Sequence, residues 1–181
     1  MGMKRTKSFI WIGLLLSVVS WPSFGESMVT CEALGVVSPG TGWAAHGTFS
    51  NDDYGFSVRI PEGFTAWSGA PKGAPFHGFS FSLDSASHSC IDLDIGWRVD
   101  RDEPPSLPSR LTPIPVAGAT ASVADTHGEV QGVPYLNRTV YFTSKRGEGL
   151  VDGRIILIVP ATDEKRAREI FDLFVRSLKF P

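Results

Sequence analysis

Apolar residues recur along this chain in two periods, and the change between them is clearest near the C-terminus. Residues 155–159 are five consecutive branched apolar residues without alternation, which is typical of a strand covered on both faces. Pro160 ends that strand because it has no N–H to donate, and Thr162 can cap the helix that follows. Helical spacing then relates Ala167, Ile170, Phe171, Phe174, Val175 and Leu178. The pattern predicts a central strand followed by a helix that packs back on the same sheet.

Alternation of period two predicts further strands upstream. Residues 54–60 form a half-buried strand, and residues 64–67 form its short partner strand. Residues 77–83 and 91–99 form a predicted hairpin in which Leu83 lies opposite Ile91. One side of this hairpin is apolar. The other side carries Ser80, Ser82, Asp92, Asp94 and Arg98.

The region between the hairpin and the central strand has a less regular pattern. Residues 100–115 contain five prolines, a density that predicts a long loop rather than a regular element. Residues 117–125 predict a weak strand that ends in a turn at His127 and Gly128. Residues 135–143 predict a strand with Leu136, Val140 and Phe142 facing inward, and residues 145–149 predict a hairpin turn into the central strand.

The N-terminal stretch has the pattern of a secretory signal peptide. Three basic residues precede the apolar run of residues 9–19, which is too short to span a bilayer comfortably, and small residues precede a cleavage point before Glu26. We therefore expect residues 1–25 to be removed on export to the periplasm or the medium. An uncleaved N-terminal anchor is the alternative. No later apolar run is long enough to cross a membrane, so no span is expected after cleavage.

Export changes the charge of the chain and the expected state of its cysteines. Removal of Lys4, Arg5 and Lys7 leaves 14 of the 17 basic residues against 19 acidic ones, a formal charge of −5. This balance argues against a nucleic-acid partner, which needs a clustered basic face. Cys31 and Cys90 form an even pair in an oxidising compartment, and we expect a disulfide between them. This disulfide would close a loop of about 60 residues, which corresponds to roughly 4 kcal/mol of stabilisation on the chain-entropy model.

The domain organisation follows from these patterns. Residues 26–50 are rich in Gly, Ser and Thr and predict an irregular N-terminal arm. Residues 51–181 predict a single α+β domain: a mostly antiparallel sheet with a C-terminal helix packed on one face.

Both ends of this domain resemble a known group of small domains. Residues 54–64 read YGFSVRIPEGF, and residues 170–180 read IFDLFVRSLKF. They are similar to the opening strand and the closing helix of PsbP/Mog1/DcrB-type domains. The resemblance covers residues 51–67 and 150–181 and implies a Mog1/PsbP-like sandwich of an antiparallel sheet and helices. It also implies a mostly non-enzymatic role, as an extrinsic subunit, an adaptor or a periplasmic accessory protein. The matching positions are core positions, so no functional residue follows from it.

Candidate chemistry is sparse. Asp92 and Asp94 stand two apart on one strand face, with Cβ atoms about 6–7 Å apart. Such a pair can serve acid/base work or contribute to a cation site, but it is also common on a solvated sheet face. The histidines have no metal-ligand spacing, and nucleophile-elbow, phosphate-loop and dinucleotide motifs are absent. We therefore expect no catalytic residues, no metal and no cofactor.

Aromatic residues beside the predicted loops are the stronger indication of function. The candidate binding residues are Trp67, Phe76, His77, Trp97, Asp92 and Asp94. With the loops at 66–77 and 101–115 they predict one recognition edge for a protein partner. The function predicted from sequence is a non-catalytic exported binding or accessory protein, of which an immunity or inhibitor protein is one form. The alternatives are a hydrolase that uses Asp92 and Asp94, and a small-ligand or metal carrier.

Overall fold

The computed structural model describes residues 42–68, 78–84, 88–97, 110–130 and 132–181. These residues form ten strands and one helix, and a 3₁₀ turn at Ala161–Asp163 connects the last strand to the helix. The elements in chain order are β1 (Trp43–Ala45), β2 (Thr48–Asn51), β3 (Phe56–Arg59), β4 (Ala66–Ser68), β5 (Gly78–Ser82), β6 (Cys90–Trp97), β7 (Thr112–Val116), β8 (Ala119–Val130), β9 (Val133–Arg146), β10 (Gly149–Pro160) and α1 (Glu164–Ser177).

Eight strands form one antiparallel sheet in the order β1-β4-β5-β6-β10-β9-β8-β7. The predicted central strand is confirmed as β10, which lies between β6 and β9. Its burial nevertheless alternates: Ile155, Leu157 and Val159 are fully buried, whereas Ile156 and Ile158 are only partly buried. The prediction of equal cover on both faces was therefore wrong for the described residues, because α1 lies on one face only. The predicted α+β class, an antiparallel sheet with a C-terminal helix on one face, is confirmed.

The helix α1 begins one residue later than predicted. Thr162 lies in the 3₁₀ turn, and Asp163 is the N-cap residue without a side-chain cap hydrogen bond. The apolar stripe packs on the sheet as expected, through Phe171 and Phe174, which are fully buried. The ring centroid of Phe174 lies 6.1 Å from that of Phe79 and 5.3 Å from that of Phe81. This aromatic contact joins the helix to β5 and fixes which face of the sheet is the core.

A second, two-stranded sheet of β2 and β3 closes the core beside α1. The backbone of Lys179 pairs with Ser57 through two hydrogen bonds of 2.9 Å, which ties the C-terminal tail to β3. Within the predicted irregular arm of residues 26–50, the structure has the strand β1 and most of the strand β2. Each strand has only three or four residues, too few for its alternation to be visible, and tertiary pairing stabilises both. The predicted strand near residues 64–67 exists as β4, but its partners are β1 and β5 rather than β3.

Two other predictions from the sequence differ from the structure. The hairpin of β5 and β6 is shifted by two residues, so that Phe81 faces Ile91 and Phe79 faces Leu93. Asp84 causes the shift, because its carboxylate accepts hydrogen bonds from the backbone N–H groups of His88 and Ser89 and so closes the connection early.

The proline-rich segment and the predicted turn after it are partly strand. Pro113 and Pro115 lie within β7, which tolerates them because it is an edge strand. His127 and Gly128 lie within β8, and the chain turns near Gly132 instead. Leu136, Val140 and Phe142 are buried, as predicted. The strand β8 is longer than the weak local pattern predicted, because it pairs with β9 along its length.

Candidate functional site

The face of the large sheet that turns away from α1 carries three of the six candidate residues, Trp67, Asp92 and Asp94, and we call it the outer face. Directly paired residues on neighbouring strands point to the same side, so the register assigns each side chain to a face. One transverse row of the outer face runs across six strands through Trp67, Ser80, Asp92, Ile156, Thr139 and Ala124. The next row holds Asp94, Arg154, Tyr141 and Ser122. These two rows define the candidate site.

Trp67, Asp92 and Asp94 therefore share one face of the sheet. Trp67 pairs with Ser80, and Ser80 pairs with Asp92. Two strand spacings of about 4.8 Å each place the backbones of Trp67 and Asp92 about 10 Å apart. The indole and the carboxyl group are thus close enough to contact one ligand or one partner side chain.

Asp94 is paired with a cation that the sequence analysis did not identify. Arg154 Nε lies 3.6 Å from Asp94 Oδ2, and both side chains are 53% exposed. The pair is therefore a solvated surface ion pair that contributes little to stability. Arg98, the basic residue that the alternation places on the same side of the hairpin, lies outside the described residues. No local signal indicates Arg154, because only the register between β6 and β10 brings it opposite Asp94.

Asp92 has the most perturbed carboxyl group of the outer face. Its pKa is raised from 3.8 to about 6: burial is the largest cause, repulsion from Asp94 adds to the rise, and Arg154 opposes both effects. The neighbouring Ser80 is fully buried, which agrees with a partly desolvated position at this point of the face. Near neutral pH the carboxyl group of Asp92 on the outer face therefore exchanges its proton in a physiological range.

Trp97 does not belong to this surface, so the predicted grouping of Trp67 with Trp97 was wrong. Trp97 pairs with Val151 and lies on the same face of the sheet as α1. Its ring covers Gly149, where an added Cβ would lie 2.9 Å from the ring carbon Cζ3, and its centroid lies 6.2 Å from that of Tyr54. It is 45% exposed at the end of β6. Trp97 is thus a partly exposed cover of the core, on the opposite face from Trp67.

The single recognition edge predicted from two loops is also not formed by the described part of the chain. The segment 110–116 leads into β7, at the far edge of the sheet from β1 and its neighbour β4. Six strand spacings between β4 and β7 correspond to about 29 Å. Phe76, His77 and the loop residues 69–77 and 98–109 lie outside the described residues. Any surface shared by those loops stays a prediction.

Cys90 is buried at the start of β6 and points to the outer face, because it pairs with Ile158. Its predicted disulfide partner, Cys31, lies outside the described residues, so the bond stays a prediction. Across the described ranges, no group of three or more His, Cys, Asp or Glu residues is arranged to hold a metal ion. The same ranges contain no helix long and apolar enough to cross a membrane.

No protein-family model matches the chain, and no curated protein matches it in sequence. Solved structures that it resembles include LpqN, involved in cell envelope biogenesis of Mycobacterium tuberculosis, with a TM-score of 0.54 and 10% identity over 76% of this chain and 92% of that one. The cyanobacterial PsbP protein CyanoP of Synechocystis aligns with a TM-score of 0.39 and 13% identity over 80% of this chain and 98% of that one. The Ran-binding protein Mog1p of Saccharomyces cerevisiae aligns with a TM-score of 0.41 and 10% identity over 75% of this chain and 95% of that one.

The chain shares its fold with LpqN. The architecture that the resemblance at the two ends of the domain implied, an antiparallel sheet with a closing helix packed on it, is confirmed at the level of the fold. At such low identity the similarity concerns the architecture alone, since one fold supports many unrelated functions. The functional argument therefore depends on the surfaces of this chain.

Proposed function

We propose that this protein is a non-catalytic binding or accessory protein that works after export and acts on a protein partner through the outer face. The observation that carries the proposal is the alignment of Trp67 with Asp92 across β4, β5 and β6, beside the ion pair of Asp94 and Arg154. Tryptophan and arginine are the side chains most often found as anchors in protein interfaces. A regular sheet also holds them on a rigid support, which lowers the entropy lost on binding.

The charge of the protein is consistent with a basic partner. After the predicted cleavage the chain has a formal charge of −5, and Asp92 and Asp94 lie at the centre of the outer face. Acidic groups at such a position would steer a basic partner and speed its association at low salt. An immunity or inhibitor protein that covers a basic toxin or a cell-wall enzyme is one concrete form of this function. The signal-peptide pattern supports its location outside the cytoplasm.

Site-specific cross-linking tests the proposal on the whole chain in its native host. A photo-crosslinkable amino acid replaces Trp67 in one strain and Glu169, an exposed residue of α1 on the other side of the sheet, in a control strain. The expected result is one defined adduct from position 67 that is absent from position 169. Asp94→Arg should then weaken that adduct, and raised salt should weaken it as well. Equal adducts at both positions, or none in a folded protein, would contradict the assignment of the outer face.

A second candidate function is a hydrolase that uses Asp92 and Asp94, and one observation favours it. Asp92, with a pKa of about 6, can hold and release a proton near neutral pH, and Asp94 lies on the same face of the sheet. A carboxyl group with a raised pKa beside a second carboxyl group is an arrangement suited to acid/base catalysis. If an activity is found, Asp92→Asn and Asp94→Asn should each abolish it, with the folded state retained. Unchanged activity in both variants would remove this candidate.

A further inference from the structure

A groove on the helix side of the molecule is separate from the outer face. It lies between the C-terminal half of α1, strand β3 and the residues that follow β3, and its volume is ≈ 530 Å³. A second depression of ≈ 430 Å³ adjoins it and shares Arg59, Pro61 and Glu62 with it. Together they form one trough that runs from Leu173 on the helix to Thr65 before β4. We call this trough the helix groove.

The apolar part of the helix groove contains the most exposed large apolar side chain of α1. Leu173 is 59% exposed, although its neighbours Phe174 and Val175 are buried in the core. It lines the groove together with Val58 and Pro61. A leucine exposed to this extent beside other apolar groups stabilises a complex when a partner covers it.

The polar part of the helix groove is basic. Arg59, Arg176 and Lys179 line it, and Glu62 is the one carboxylate among its lining residues. None of the three cations forms an ion pair with a described residue, whereas Arg138, Arg154 and Arg168 elsewhere do. The groove therefore has a local excess of positive charge in a chain with a formal net charge of −2 before processing.

Hydrogen bonds hold the backbone at two of these cationic residues before any partner binds. The N–H of Arg59 donates to Ser177 Oγ at 2.9 Å, and Ser177 Oγ donates to the carbonyl of Phe174 at 2.7 Å. Lys179 is held by its two backbone hydrogen bonds to Ser57. A cleft with walls of one charge and a rigid frame concentrates ligands of the opposite charge.

We propose that the helix groove binds an extended acidic segment of a partner protein, with an apolar side chain placed between its carboxylates. The carboxylates would pair with Arg59, Arg176 and Lys179, and the apolar side chain would cover Leu173 and Pro61. A protein segment fits better than a nucleic acid, because its apolar side chain can cover Leu173, which offers nothing to phosphates. This surface and its charge differ from those of the outer face, so the two proposals fail independently.

Fluorescence anisotropy with the purified product of the whole chain tests the proposal. The probe is a labelled peptide of about ten residues that alternates glutamate with leucine, a length that covers the groove in an extended conformation. The control peptide has glutamine in place of each glutamate. We expect saturable binding of the acidic peptide that weakens as salt is raised, and no saturable binding of the control peptide. Equal binding of the two peptides would overturn the proposal.

Matched variants on one helix then locate the site. Arg176→Glu lies in the groove, whereas Arg166→Glu makes the same charge change at an exposed position outside it. Arg176→Glu should weaken binding roughly tenfold, and Arg166→Glu by less than about twofold. Leu173→Ala should weaken binding roughly fivefold, because it removes apolar contact without a change of charge. Equal effects of the two charge reversals would instead show a non-specific anion patch and overturn the proposal. The same conclusion would follow if a DNA oligonucleotide displaced the peptide equally well from the wild type and from Leu173→Ala.

Discussion

Replacement of Asp92 by asparagine should stabilise the folded protein at neutral pH. The folded state raises the pKa of this carboxyl group from 3.8 to about 6, chiefly because the group is partly buried. At about 1.36 kcal/mol for each pKa unit, the rise corresponds to about 3 kcal/mol of lost stability in the charged form. Screening by solvent lowers this figure, since the site is at the sheet surface and not fully enclosed. We expect a gain of about 1–2 kcal/mol from Asp92→Asn near pH 7.5.

The sign of the pH dependence follows from proton binding by the two states. Below about pH 4 the carboxyl group is protonated in both the folded and the unfolded protein, so asparagine and aspartic acid are nearly equivalent. Between about pH 4 and pH 6 the folded state retains a proton that the unfolded state has released, and the stability of the wild type falls as the pH rises. Above about pH 6 the whole penalty is present. The advantage of Asp92→Asn should therefore appear over this window and then level off.

Urea unfolding at a series of pH values measures this advantage directly. The free energy of unfolding is compared between wild type, Asp92→Asn and the control variant Glu148→Gln, which removes an exposed carboxylate in the turn between β9 and β10. The control should show no comparable gain between about pH 4 and pH 7.5. A difference between Asp92→Asn and wild type that does not vary with pH would refute the reasoning. A loss of stability at neutral pH would mean that the carboxylate is held by a favourable partner.

Three further outcomes follow from the packing and the covalent structure. Phe174→Ala should destabilise the protein by about 3–5 kcal/mol in urea unfolding, because it empties the aromatic contact with Phe79 and Phe81, whereas Leu173→Ala should change stability by less than about 0.5 kcal/mol. Gly118→Ala should cost about 2 kcal/mol more than Gly132→Ala, since both glycines have positive φ but only at Gly118 would a Cβ overlap the carbonyl oxygen of Phe180; equal losses would contradict the overlap. A thiol assay in denaturant should find no free thiol in the exported protein and one thiol in Cys31→Ser, which should also be less stable by roughly 4 kcal/mol; two thiols in the unreduced wild type would disprove the disulfide.

The sequence by itself determined the elements whose pattern is long or strongly periodic. The strand β10 and the helix α1 were predicted because five branched apolar residues, a proline and a helical stripe follow one another within residues 155–178. The inward face of β9 and the apolar face of β6 followed from alternation over many residues. Asp92 and Asp94 were assigned to the opposite side for the same reason, and a shift of the hairpin by two residues does not change a face.

Only the tertiary structure decided which of these residues meet. Trp67 lies in a strand of three residues, too short for alternation to show its face, and its pairing with Ser80 depends on a strand that follows a long gap in sequence. The closure of the β5–β6 connection depends on hydrogen bonds of the Asp84 carboxylate, and the pairing of Arg154 with Asp94 depends on a register between strands that are distant in sequence. The helix groove combines α1, β3 and the tail in the same way. Local periodicity assigns a side chain to a face, but contacts between distant segments are set by how the whole core packs.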